Sequence, residues 1–208
     1  MLELRPICEP CNKTLLALTL LLAGAAHLTA QEPVPNGTVR EGTLSFDGKG
    51  TGGDFVGTTK IVTGTMIGGA TLADVRGFVE APVTTLDTDN DRRNRDLNKS
   101  MESGKYPTIR FELEHVTLQG DTAGAEGAML GGRLTIHGVT KEVELPARVE
   151  RRADAVRVRT DFPLNLKHYG IKGLSKFLGL FKMNEHIEVH VDVMFGVQER
   201  GTGDGEQG

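Results

Sequence analysis

Apolar and polar side chains alternate in short runs along this chain more often than they recur every three or four residues. The pattern is cleanest between Arg133 and Val149. There Leu134 and Ile136 alternate with Arg133 and Thr135, and Val143, Leu145, Ala147 and Val149 alternate with Glu142, Glu144, Pro146 and Arg148. Successive side chains of a strand point to opposite faces, so both arms are strands with one dry and one wet face. His137-Gly138-Val139-Thr140 is the turn of a hairpin, with Gly138 available for positive φ.

The same alternation predicts strands over Thr43–Asp47, Thr59–Ile67, Leu72–Leu86, Lys105–His115, Val156–Phe162 and His186–Val193. In Leu72–Leu86 the positions Val75, Gly77, Val79, Ala81 and Val83 share a face, and Pro82 marks an edge or a bulge because it cannot donate to a ladder. Gly48–Gly53 is a turn. Two stretches break the rhythm. A charged crossover, Asp87–Gly104, predicts a short helix over Asn90–Met101 with Leu97 and Met101 facing inward. Leu174, Phe177, Leu178 and Phe181 recur at helical spacing and predict a short apolar helix or lid. About eight one-sided strands joined by mostly short turns point to an all-β fold, an antiparallel lipocalin-like β-barrel whose closure removes the sheet edges.

The ends differ from this body. Residues 1–30 hold Arg5 and Lys13 ahead of an apolar run, Thr14–Ala26, which is too short to span a bilayer and ends in small residues. They read as a signal peptide that directs the protein to the periplasm or the exterior. The only cysteines, Cys8 and Cys11, precede that run, so cleavage leaves a cysteine-free protein with no integral membrane segment. Residues 31–42 read as a lead-in, 43–197 as the barrel, and 198–208, polar and Gly-rich, as a disordered tail.

The net charge is −4 and spread out, with no basic stripe, which argues against nucleic acid and against adhesion to anionic lipid heads. Catalytic readings are poor. No Gly-x-Ser-x-Gly elbow is present and the mature chain has no thiol, so the expectation is a protein that is not an enzyme and needs no cofactor. His186, Glu188, His190 and Asp192 share a strand face opposite aliphatic residues; that face reads as solvated, not as a metal site. His137 reads as a structural turn residue.

Several short pieces stand in a recognisable order: Asp54-Phe55-x-Gly57, Leu86-Asp87-Thr88, Arg93-Asn94-Arg95-Asp96-Leu97, Lys105-Tyr106-Pro107-Thr108-Ile109-Arg110-Phe111, Gly132–Lys141 and Tyr169-Gly170-Ile171. In this order and spacing they resemble the YceI-like family of polyisoprenoid- or lipid-binding domains. The crossover departs from the commonest pattern: it is shorter and lacks an aromatic pair before Tyr106-Pro107, and His168 stands where an acidic residue is common. The resemblance implies a periplasmic barrel with an apolar channel that holds an isoprenoid or other long-chain lipid. From the residues alone, a filled core and a ligand cavity both stand. The resemblance favours the cavity, and the alternative is a filled barrel acting in envelope stress or as an interaction partner.

The expected lipid-binding positions are Val79, Val83, Ile109, Phe111, Leu113, Val143, Leu145, Val158, Phe162, Leu178, Val189 and Val191, with Leu178 in a cap over one mouth. No charged clamp is required, because each buried CH₂ contributes about 0.8 kcal/mol and a few isoprene units suffice for micromolar affinity. The sequence leaves open a homodimer and the identity of the lipid.

Overall fold

Alternating side chains build a wall that closes on itself. The structure, a computed structural model, describes residues 33–50, 53–122, 125–171 and 184–197. The strands are β1 (Gly37–Gly48), β2 (Phe55–Thr59), β3 (Thr63–Ile67), β4 (Arg76–Pro82), β5 (Thr108–Thr122), β6 (Ala125–Ile136), β7 (Val139–Arg151), β8 (Ala155–Asn165) and β9 (His186–Val197). All pairings are antiparallel, and the order β1-β3-β4-β5-β6-β7-β8-β9 returns to β1 along a ten-pair register from Gly37↔Val197 to Asp47↔Glu188. Eight strands thus form a closed barrel. β2 is an extra strand, laid against Leu44–Gly48 of β1 where β3, paired only at Gly37 and Thr38, has already left that edge.

The hairpin that dominates the sequence forms β6 and β7, in register from Glu126↔Val149 to Ile136↔Val139. Its turn is tighter than expected. Only His137 and Gly138 lie between the strands, with φ of 52° and 74°. Positive φ at both central residues gives the turn whose twist matches that of the flanking strands. Glycine is needed at 138 for a second reason, since a Cβ there would collide with the Tyr106 ring.

Two expected strands are cut short, and polar side chains do the cutting. The stretch Thr59–Ile67 is divided between β2 and β3. Thr59 Oγ1 accepts a bond from the Ile61 N–H (3.0 Å) and shares another with Thr85 Oγ1 (2.7 Å), which takes that backbone out of the ladder. The stretch Leu72–Leu86 yields only β4. A Thr71–Asp74 capping box starts a 3-10 turn at Leu72–Asp74, and after Pro82 the Thr85 hydroxyl donates to the Pro82 carbonyl (2.8 Å) and closes a second 3-10 turn, Val83–Thr85.

The crossover helix α1 (Asp91–Ser100) forms as expected, with the Asn90 side chain accepting from the Arg93 N–H (3.0 Å) and with Leu97 and Met101 buried. A third 3-10 turn, Leu166–Tyr169, follows β8 and ends at Gly170, whose φ is 68°. No helix among the described residues is long and apolar enough to cross a membrane. The expected signal peptide, with Cys8 and Cys11, the Leu174–Phe181 cap with Leu178, and the tail from 198 lie outside the described residues.

Candidate functional site: an apolar lumen in two chambers

Inward side chains from every strand of the ring line the barrel, and they do not fill it. The larger chamber, about 140 Å³, is walled by Val79, Ile109, Phe111, Leu145, Val158, Phe162, Val189 and Val191, all positions expected from the sequence. Leu44 and Phe46 of β1, Leu130, Leu134 and Ile136 of β6, Leu164 of β8, and Ile187 and Val193 of β9 complete the wall. Leu97, Ser100 and Met101 at the end of α1, with Leu86, Leu166 and Ile171, line the same chamber. A smaller chamber of about 80 Å³ is walled by Met66, Leu72, Val75, Leu113, Val116, Val149, Val156 and Phe195 among others. Val79, Phe111, Leu130, Val158 and Val193 border both chambers and form a waist between them.

The lumen is dry in character. Among the described residues, no Lys, Arg or His lines the larger chamber. Glu80 contributes to its wall, but its carboxylate binds Arg110 at 2.7 Å on the outer face. Arg76 borders the smaller chamber and spends its guanidinium on the Ala73 and Val75 carbonyls. The other polar side chains of the larger chamber's described wall are Ser100 and Thr160, and Thr160 is 7% exposed.

The short pieces that carried the family resemblance meet at the α1 end of the barrel and clasp it. Asn94 Oδ1 accepts from the Thr88 N–H (2.9 Å) and hydroxyl (2.6 Å), while Asn94 Nδ2 donates to Asp87 Oδ1 (2.8 Å). That last bond is the main reason the Asp87 carboxyl titrates below the usual aspartate range. The Arg93 guanidinium lies 4.1 Å from the centre of the Phe55 ring, which stands edge-on to Phe46 at 6.1 Å. Gly57 leaves room for Phe46, since a Cβ there would enter its ring.

On the opposite side of this end, His137 stands edge-on to Tyr106 at 4.8 Å, and its Nδ1 lies 3.1 Å from the Tyr169 carbonyl as donor. Its Nε2 is 3.4 Å from Glu102 Oε1, outside hydrogen-bonding geometry. His137 therefore ties the hairpin turn to the 3-10 turn after β8, the structural role expected of it. Burial raises the Tyr169 phenol above its ordinary pKa.

Three expected site positions fall outside the larger chamber. Val83 is fully buried, but in the 3-10 turn after β4, where it packs under the wall and lines neither chamber. It was misplaced because the strand was read one turn too far. Leu113 lines the smaller chamber, and Val143, opposite Gly132, is half-buried against the core and borders neither chamber. Leu178 lies outside the described residues. The residues that the sequence reading missed are chiefly Leu97, Met101, Leu86 and Thr160. The first two were read as inward-facing but not as site residues. Thr160 shares the alternation of Val158 and Phe162, so a polar residue on an apolar face was its visible signal.

The outer wall has the opposite chemistry. His186, Glu188, His190 and Asp192 do lie on the outer face of β9, and each is at least partly exposed. His190 bonds Asp161 (2.6 Å), Asp192 bonds Arg157, and His186 meets Asn165. Among the described residues no three His, Cys, Asp or Glu side chains are placed to share a metal ion.

The YceI-like domain model matches residues 38–195 of this chain. Solved structures give the same fold. BcnA of Burkholderia cenocepacia superposes with a TM-score of 0.62 at 16% identity, over 74% of this chain and 95% of that one. A polyisoprenoid-binding domain from Saccharophagus degradans, implicated in plant cell wall breakdown, gives 0.62 at 16% identity, over 79% and 99%. A mutant YceI protein designated CJ gives 0.54 at 17% identity, over 69% and 85%. No curated protein matches the chain.

Proposed function

The chain belongs to the YceI-like family, and from that premise we propose that it is a periplasmic or secreted lipid-binding protein that holds an isoprenoid or similar long apolar chain in its barrel. The observation that carries the proposal is the unfilled, uncharged lumen. An apolar cavity of about 150 Å³ in another protein stays dry and takes up benzene. The larger chamber, at about 140 Å³, therefore suits one ring or isoprene-sized unit as it stands. A longer chain would extend past the waist residues that the two chambers share, Phe111 among them, into the smaller chamber.

The affinity comes from burial. One five-carbon unit contributes on the order of 3–4 kcal/mol, before the cost of ordering the chain. The family and the Saccharophagus domain, described as polyisoprenoid-binding, support an isoprenoid as the first candidate. The apolar run Thr14–Ala26 supports export. In this reading the barrel acts by holding its ligand and performs no chemistry on it; the support is that the described lining is almost wholly apolar, with Glu80, whose carboxylate binds Arg110, and the hydroxyls of Ser100 and Thr160 as its polar members.

Native mass spectrometry of the protein purified from the compartment to which it is exported tests the proposal. A stoichiometric mass increment that extracts as a long-chain lipid is expected. A bare mass, with no uptake of prenyl compounds by the purified protein, would overturn it in favour of a barrel that works through a protein partner.

A further inference from the structure

We propose that the larger chamber selects ligands carrying an uncharged oxygen, an alcohol or a carbonyl, and that the Thr160 hydroxyl binds that oxygen in the middle of the barrel. The inference rests on the reading of the lumen as a lipid site and adds to it a ligand class and a residue.

Three polar residues are buried among the described ones: Thr59, Thr88 and Thr160. The first two are fully employed. Thr59 Oγ1 bonds Thr85 and Ile61, and Thr88 Oγ1 bonds Asn94. Thr160 Oγ1 is buried with no hydrogen-bond partner among the described residues. A buried hydroxyl without a bond costs about 1–3 kcal/mol, and valine of nearly the same shape would avoid that cost. A water molecule does not resolve the deficit, because a buried water needs two to four polar partners and the described wall of the chamber is almost wholly apolar. Its ladder neighbours are Ala147 on β7 and Val191 on β9.

Position and chemistry then narrow the ligand. Thr160 is the next inward position after Val158, which belongs to the waist. Its hydroxyl is covered in the empty protein, so carbon is what it turns to the lumen. A step of roughly 120° in χ1 moves Oγ1 to the position the methyl held and brings it into the chamber. A hydroxyl both donates and accepts, so it serves an alcohol or a carbonyl equally. It does not serve a phosphate or carboxylate. Among the described residues no cation lines this chamber, and a charge buried with hydroxyls as its only partners is strongly disfavoured.

Farnesol and farnesene share a C15 prenyl skeleton with and without the oxygen. Their affinities for the lipid-free wild type, Thr160→Val and Thr160→Ser are read by displacement of a fluorescent apolar probe. Thr160→Val should weaken farnesol by about five- to tenfold and leave farnesene within about twofold. Thr160→Ser should keep the farnesol affinity, and empty Thr160→Val should melt at or above the wild-type temperature. Equal losses for both ligands, or a farnesol affinity that Thr160→Val leaves untouched, overturn the assignment of Thr160 while leaving the lipid site in place. Failure of the wild type to bind either compound sinks the lipid reading and this inference together.

Discussion

The two faces of one wall behave as different materials. On the lumen side of β4, β5, β8 and β9 stand Val79, Phe111, Val158 and Val191, with no charge among them. One residue away along each strand, on the outer side, opposite charges are interlocked. Arg110 binds Glu80 (2.7 Å) and Glu112 (3.2 Å), and Arg133 binds Glu112 (3.0 Å) and Glu114 (3.1 Å). Arg157 holds Asp192 through both carboxylate oxygens, and Arg159 joins it at 3.2 Å. These pairs are about a third or more exposed, and each contributes between zero and about 1 kcal/mol. The inner face contributes far more per residue and yet leaves a chamber of about 140 Å³ empty, which forfeits on the order of 3 kcal/mol relative to a filled interior. Register is helped from outside, where single changes matter little, and the inside keeps a void that stability alone would close.

The sharpest test of that contrast uses two neighbours on β7. Leu145 lines the lumen opposite Leu130 of β6, while Glu144 points outward and meets His115 at 2.9 Å. Leu145→Asp places a carboxylate in an aliphatic chamber and should remove more than about 4 kcal/mol, enough to prevent folding at 25 °C. Glu144→Gln should cost less than about 1 kcal/mol. Urea unfolding followed by circular dichroism reads both, and comparable losses would erase the distinction between the faces.

How well each face was legible follows from the same contrast. Period-two alternation writes both faces into the sequence wherever a strand is regular, which is why Ile109, Phe111, Leu145 and Val158 could be assigned to the lumen. It is silent where a side chain withdraws the backbone from the ladder. Thr59 divides an expected strand, and Pro82 with Thr85 ends another, so Val83 leaves the wall although its spacing fits. Alternation also fails at Glu114, where a bulge between Leu113 and His115 carries Val116 rather than His115 inward. The end of the chamber was less legible still. Leu97 and Met101 reach it through a helix, and the Asn94 bonds to Thr88 and Asp87 cross six or seven residues of sequence. The presence of Asp87, Thr88, Asn94 and Leu97 in the short family pieces is the sign that they act together, and helical spacing is the sign for Met101.

That clasp is neither lumen nor outer face, and it defines the next largest effect. Asn94→Ala leaves the N–H and hydroxyl of buried Thr88 without partners, and should cost about 2–3 kcal/mol. The Asp87 carboxyl, released from Asn94, should titrate closer to the ordinary aspartate range, a shift that carboxyl NMR can follow. A loss below about 0.5 kcal/mol would mean that α1 is held by Leu97 and Met101 alone.

On the outer face the Arg157–Asp192–Arg159 cluster is the best candidate for an exception. The Arg157 bond, aided by Arg159, holds the Asp192 carboxyl below the usual aspartate range, and burial opposes it. Its contribution is therefore present above the unfolded pKa near 3.8 and is lost as pH falls through the lower folded value. With the side chain 35% exposed, Asp192→Asn should cost about 0.5–1 kcal/mol at pH 7, less in 1 M salt, and should flatten part of the acid limb of stability. A cost above about 2 kcal/mol would place this cluster with the core.

The smallest expected effect has the opposite sign in pH, and sits on the seam where the last strand meets the first. His190 of β9 bonds Asp161 of β8 at 2.6 Å and faces Asp47 of β1 at 3.6 Å. The Asp161 bond is the main cause that raises the imidazole above its ordinary 6.5; desolvation works against it, and Asp47 adds to the rise. A raised pKa means that the folded state binds the proton more tightly than the unfolded chain does. The contribution is thus complete below about pH 6.5 and is lost as pH rises through the folded value. Because His190 is 38% exposed and Asp161 70%, solvent screening holds the effect to a few tenths of a kcal/mol. Unfolding free energies at pH 5.5 and 8.5 should differ by that much more in the wild type than in Asp161→Asn, and the difference should shrink in high salt. An unchanged slope in Asp161→Asn would move the titration to another group. A slope several times larger would show that closure of the ring depends on this charge, and that the outer face carries more of the barrel than its exposure allows.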